Sequence, residues 1–343
     1  MKVIQLVKYG DAHKAFRTSE LPIPDLINKD DLLIKVESFG LNFADVMARK
    51  GLYRATPALP AVLGYEVIGK IVKVNNDKNQ NLIGKKVLCL TRFGGYAEFV
   101  KSSLLNIKLI PHTINNGQAL ALATQYCTAY LALNSCLHLK DSDIILVHSA
   151  SGGVGTAITQ LAKLKGLKVI GLTRTKSKIN YLKSNGVDFP LVTSKKDYSS
   201  LIKEIPGFSK IQATFNSVGG DTIKKDIKLL DVTGQVVFFG ISDRTNQKKG
   251  LLFTLFQLFK IGKIHPAKLL LNSQSLHGLN LLAIGDKNPK QLNHALEELI
   301  SLVKLKKIKP NADYCFAWDE IAQAHDGFEK GKFTGKVYIN TNH

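Results

Sequence analysis

Short apolar runs separated by turn residues fill the first third of the chain, and the rhythm changes near residue 119. Segments 2–8, 31–39, 67–74, 86–90 and 97–101 read as strands. Gly84, Gly94-Gly95 and the Pro22/Pro24 and Pro57/Pro60 pairs punctuate them. This pattern predicts a β-rich, partly rolled domain over 1–119. Beyond it, strands and helices alternate: strand 143–148, helix 156–165 closed by Gly166, strand 168–172, and helix 176–184 stopped near Gly186. Further strands are expected at 211–215, 235–239 and about 276–283. Alternation of this length builds a parallel sheet covered on both faces. The fold class is therefore α/β, with a doubly wound Rossmann sheet over 120–284. In 290–307, Leu292, Ala295, Leu296, Leu299, Leu302 and Val303 share one helical stripe. A β-like 336–340 is expected to rejoin the first domain, so 285–343 completes what 1–119 begins.

The glycine-rich turn supplies the first chemistry. The strand ending at His148 runs through Ser149-Ala150-Ser151-Gly152-Gly153-Val154-Gly155 directly into a helix. That strand–turn–helix setting is what a dinucleotide fingerprint requires, with Gly152 and Gly155 in the second and third glycine positions and Ala150 in the first. Gly152 lets backbone approach a pyrophosphate, Gly155 allows close helix–strand packing, and the helix N-terminus offers unpaired N–H groups. An NAD site places a carboxylate about 20 residues on, at the end of the next strand. That place holds Thr173, followed by Arg174, Lys176 and Lys178. Cations where an acid would stand favour a 2′-phosphate, hence NADPH. Ser217, Val218, Phe239 and Gly240 close two more strands at their carboxyl ends, where open α/β sheets bind ligands.

Bulk properties narrow the reading. Four cysteines without a C-x-x-C pair argue for free thiols in a reducing cytoplasm and against a zinc lobe or disulfide framework. The segment 251–259 is too short to span a bilayer; it reads as a buried or dimer-contact helix, or as a surface helix touching lipid. Net charge is +20, yet it is spread: residues 120–284 carry 21 lysines and arginines against 9 acids, and no run of like charge forms a binding arm. Stable membrane insertion is not expected, and nucleic-acid binding is a minor alternative.

The stretch Gly40-Leu-Asn-Phe-Ala-Asp-Val-Met-Ala-Arg-Lys-Gly-Leu-Tyr53, with Gly64-Tyr65-Glu66, Gly94-Gly-Tyr-Ala-Glu98, Ser217-Val-Gly-Gly220 and Thr334-Gly-Lys-Val337, resembles the zinc-independent quinone oxidoreductase branch of the medium-chain dehydrogenase/reductases. It is most similar to the vesicle amine transport protein and zeta-crystallin group. The resemblance implies a GroES-like catalytic domain, a Rossmann domain, NADPH as cofactor, and a homodimer through the last Rossmann strand. It places Asn42, Asp45 and Tyr53 beside the acceptor: Asn42 and Tyr53 as donors to a developing oxyanion, Asp45 orienting Asn42 or nearby backbone. The same Asn42 and Asp45 suit a helix cap. Thr128 and Tyr130 match positions near the nicotinamide carboxamide. Tyr65 stands where zinc relatives carry a histidine ligand, so no metal is expected. Met47 and Thr193 replace tyrosines of many relatives, which points to a different acceptor pocket. The reaction implied is hydride transfer to a quinone. Reduction of α,β-unsaturated aldehydes or ketones, or a low-activity RNA- or membrane-associated protein of the same fold, remain open.

Overall fold

The computed structural model describes residues 1–341 except 195, 209, 243–263 and 265. The apolar segment 251–259 lies outside the described residues. The chain forms two compact units, Met1–Cys127 with Leu281–His343, and Thr128–Asn280.

In the first unit, β1 (Lys2–Leu6), β2 (Phe16–Glu20), β3 (Asp31–Leu41), β4 (Ala61–Val62), β5 (Glu66–Val74), β6 (Lys86–Leu90), β7 (Phe99–Ser103) and β8 (Ile107–Leu109) are almost all antiparallel neighbours. β1 sits between β2 and β4. β3 is the spine of the larger sheet, pairing β5 and β7, and its side chains are buried along nearly its whole length. Two register shifts against β5 let so apolar a strand bend and bury both faces. Its Phe39 stacks on Tyr96 with ring centroids 4.6 Å apart, in a core with Leu41, Val67, Ile71 and Trp318. The helix Asn116–Ala121 packs on β3 and β5, so this unit reaches Cys127 rather than ending at residue 119.

The second unit holds β9 (Ile144–Val147), β10 (Lys168–Thr173), β11 (Phe189–Val192), β12 (Ile211–Asn216), β13 (Leu230–Phe238) and β14 (Ser275–Gly278). They lie in the order β11-β10-β9-β12-β13-β14, every pairing parallel. Strand order reverses beside β9, the first strand in sequence. Near-continuous apolar runs such as Ile144–Val147 and Lys168–Thr173 are what a sheet covered on both faces demands. Leu146, Ile170, Leu172, Ile211 and Val236 pack together on one face with Tyr198 and Ile202.

The strand expected over 276–283 is corrected. It ends at Gly278, and Leu281–Lys287 is a helix belonging to the first unit. A short apolar run carries no period that separates strand from helix. The striped helix spans Pro289–Lys304, with Asn288 as its cap. Finally β15 (Tyr314–Phe316) and β16 (Val337–Asn340) return to the first unit, β16 pairing antiparallel with β3. Among the described residues no helix is long and apolar enough to cross a membrane.

Candidate active site

The glycine-rich turn joins β9 to the helix Gly153–Leu164, which starts at Gly153 rather than at Thr156. The first i to i−4 bond of this helix runs from the Thr156 N–H to the Gly152 carbonyl at 2.8 Å. The N–H groups of Gly153, Val154 and Gly155 precede it and carry the positive end of the helix dipole. A Cβ on Gly155 would lie 2.5 Å from the Ser149 carbonyl oxygen and 2.6 Å from the Ala150 Cα. Backbone against backbone at that distance leaves no room for another residue. Ser151 is buried within the turn.

Across the point of strand reversal, β12 ends at Asn216. Its side-chain oxygen accepts the N–H groups of Val218 and Gly219, both at 2.9 Å, and shapes the turn 217–220. Ser217 donates its hydroxyl to that of Ser149 at 3.2 Å, so the two turns touch. Phe239 donates its N–H to the Asn216 carbonyl at 3.0 Å, which sets Phe239 and Gly240 beside the same turn. Beneath them lies Asp226, fully buried, whose carboxylate accepts from His148 Nε2 (3.0 Å), Tyr198 Oη (2.8 Å) and Asn216 Nδ2 (2.6 Å). His148 is thus a structural residue of the turn.

At the end of β10, Thr173 is buried and Arg174 exposed. Burial, then the nearby Arg174 guanidinium, lowers the pKa of Lys178 from the ordinary lysine value. Arg174 and Lys178 thus lie near enough for their charges to interact. Thr128, buried, and Tyr130 lie on the helix Cys127–Ser135.

In the first unit, Asn42 starts the helix Phe43–Arg49 and Asp45 sits in its first turn. The Asp45 carboxylate accepts the N–H of Asn42 at 2.8 Å and of Gly64 at 3.2 Å. The Asn42 side chain is engaged on both ends. Its amide donates to both Glu66 oxygens at 2.8 Å, while its oxygen accepts from Thr124 Oγ1 at 2.7 Å and Lys336 Nζ at 3.1 Å. Glu66 and Lys336 form an ion pair with neither side chain exposed. A Cβ on Gly40 would fall 2.1 Å from Glu66 Oε1 and 2.7 Å from Lys336 Nζ, so only glycine admits the pair. Burial, and next the charge of Glu66, push the Asp45 carboxyl up to about 7. Tyr53 is half-buried, its phenol pushed up by burial, and meets Tyr65 edge to face at 6.3 Å. Tyr65 packs on Phe93 at 5.0 Å. Sequence reasoning missed the part played by Lys336 and treated Tyr65 only as a lost ligand.

Residues 28–128 match the alcohol dehydrogenase GroES-like domain family, and residues 153–292 the zinc-binding dehydrogenase family. The mouse synaptic vesicle membrane protein VAT-1 homolog is 30% identical over 341 residues, 99% of this chain and 83% of the mouse protein. The chain belongs to the medium-chain dehydrogenase/reductase superfamily. Quinone oxidoreductase from Pongo abelii is 27% identical over 342 residues, 99% of this chain and 97% of that protein. Among solved structures, the Escherichia coli quinone oxidoreductase complexed with NADPH superposes with a TM-score of 0.85 at 24% identity, covering 99% of this chain and 100% of that one. The Coxiella burnetii quinone oxidoreductase gives 0.81 at 27% identity, covering 100% and 99%.

Among the described residues of this dehydrogenase/reductase the donors for a tetrahedral zinc are not assembled. No group of three His, Cys, Asp or Glu that would hold a metal occurs among the described residues. Glu66 is already paired with Lys336, and burial raises the Cys89 thiol to about 12, so it stays protonated. A zinc ligand has to be a thiolate, a neutral imidazole or a free carboxylate.

Proposed function

We propose that this protein transfers hydride from NADPH to a quinone without a metal. The observation that carries the reading is the meeting of two backbone turns, at Ser149–Gly155 and 217–220, outside the carboxyl ends of β9 and β12 where strand order reverses. Ligands of doubly wound sheets bind at that switch point. The free N–H groups of Gly153, Val154 and Gly155 suit a pyrophosphate, with Ser151 and Gly152 shaping the approach. Arg174 and Lys178, beside Thr173, suit the 2′-phosphate that distinguishes NADPH from NADH. Thr128, Ser217, Val218, Phe239 and Gly240 are assigned to the nicotinamide end.

When bound, the reduced nicotinamide supplies the hydride. The chain's own residues hold the reactants, exclude water and stabilise charge on the acceptor oxygen. Tyr53, half-buried among aromatic rings, is assigned to donate to that oxygen. Asn42, whose amide is spent on Glu66, and Asp45, which accepts two backbone N–H groups, are assigned to position the segment that carries Tyr53. The donor set does not fit zinc, so no step is assigned to a metal.

The test is NADPH oxidation with a panel of quinones beside a panel of enones. Turnover of quinones with a preference for NADPH over NADH is expected. Turnover of enones alone would transfer the reading to alkene reduction, and no turnover of either would overturn it.

A further inference from the structure

Tyr96 and His325 stand 229 residues apart in the chain and meet in the core of the first unit. Tyr96 Oη lies 3.1 Å from His325 Nε2, and neither side chain is exposed. His325 belongs to the helix Ile321–Glu329, which packs on the helix Phe43–Arg49. The Tyr96 hydroxyl has a second hydrogen-bond partner in the Asp45 carboxylate. Its ring stacks on Phe39 and lies against Gly64, where φ is 102° and a Cβ would fall 2.7 Å from Tyr96 Cδ1.

The direction of each proton follows from what His325 lacks. Burial, and next the charge of Arg49, lower its pKa well below the ordinary histidine value, so the ring is neutral and carries one proton. His325 Nδ1 is buried and has no hydrogen-bond partner among the described residues. A proton there would be a buried donor without an acceptor, repelled by the Arg49 cation; a bare lone pair is attracted by that cation. The proton therefore stands on Nε2 and is donated to Tyr96. Burial, and next the charge of Asp45, raise the Tyr96 phenol well above the ordinary tyrosine range, so it keeps its own proton. With its oxygen occupied by His325, Tyr96 turns that proton to Asp45.

We propose that His325 is a positioning residue for hydride transfer: its Nε2–H, acting through Tyr96, aims a third donor at the Asp45 carboxylate and so fixes the segment 40–53 beside the acceptor. This deepens the proposed quinone reduction and rests on it. The two backbone donors reach one Asp45 oxygen each, Asn42 at 2.8 Å and Gly64 at 3.2 Å. The phenol holds the carboxylate from a third side. His325 is wholly buried, so it acts on geometry and exchanges no proton with the reactants.

Nitrogen NMR of wild type labelled at its histidine rings tests the chain directly, with the His325 signals identified by their loss in His325→Gln. A neutral ring protonated at Nε2 is expected; a proton on Nδ1, or on both nitrogens, overturns the proposal. Kinetics above the Asp45 titration at about 7 test the positioning role. His325→Leu is expected to lower kcat for 1,4-naphthoquinone about 10- to 100-fold, the range for a small misplacement of a reacting group, with the KM for NADPH unchanged. His325→Gln, whose amide N–H replaces Nε2–H, is expected to restore most of that loss, and adding Tyr96→Phe to His325→Leu to cost nothing further. A glutamine variant as slow as the leucine one makes His325 a packing residue and overturns the assignment, as do additive losses or an unchanged kcat. Wild type inactive with every quinone removes the parent reading and the positioning role with it, while the ring tautomer still stands or falls by NMR.

Discussion

Asn216 donates its amide to the Asp226 carboxylate across 2.6 Å. The same Asn216 oxygen shapes the 217–220 turn, and the same Asp226 anchors His148 before the glycine-rich turn. One carboxylate thus fixes both backbone turns assigned to the cofactor.

Replacing Asp226 by alanine removes the buried acceptor that His148, Tyr198 and Asn216 share, although Tyr198 Oη and Asn216 Nδ2 also donate to Thr222. Stability should fall by about 3 kcal/mol or more, measured by urea unfolding. The KM for NADPH should rise while that for the acceptor stays put. A variant as stable as wild type would show that the three donors find other partners.

On the proposed reading, Arg174→Ala combined with Lys178→Ala would remove two charge-assisted contacts to the 2′-phosphate, each worth about 1.5–3 kcal/mol. The KM for NADPH should rise about 100-fold or more by that measure, and the KM for NADH should barely change. Steady-state kinetics with both cofactors decides it, and equal effects refute the cation assignment.

Asp45 gives a pH dependence whose sign is set by its burial. Its carboxyl sits at about 7 in the fold against 3.8 in the unfolded chain. Between these values the folded protein holds a proton that the unfolded chain releases. The stability so gained is fully present below pH 3.8 and is lost as pH rises through about 7. Asp45→Asn, which cannot ionise, should flatten the decline between pH 4.5 and 7.5 in thermal melts. A variant with the wild-type slope would place the titration elsewhere.

The helix Pro266–Asn272, next to β13 in the second unit, exposes Leu270 and Leu271 at 79% and 82%. β14 forms the outer edge of the parallel sheet as described. A homodimer through this edge is the expected assembly. Light scattering should give twice the chain mass for wild type and a monomer for Leu270→Asp with Leu271→Asp. A monomeric wild type would remove the dimer.

Much of the fold was readable because alternating strands and helices, and a glycine-rich turn between them, are local signals. The failures are local too. Gly153 and Gly155 made the helix start look like turn, although the helix begins on those glycines. Asp231, Thr233 and Gly234 hid the first half of β13, which runs from Leu230 through Thr233 at φ 65°. The 276–283 run joined a strand and a helix that lie in different units. What no local pattern carries is a contact across long sequence separation. Asn42 reads as a free donor until Glu66 and Lys336 are seen to occupy it.

The glycine at position 40 also bears on the order of synthesis. It leaves room for a cation delivered 270 residues downstream of the acid it neutralises. At about 5–20 residues per second, the ribosome emits Glu66 roughly 15–50 s before Lys336. Before Lys336 is added, Thr128–Asn280 is complete as one continuous piece. The second unit can therefore mature first, while the half that begins the chain waits, electrostatically unfinished, for its own distant lysine.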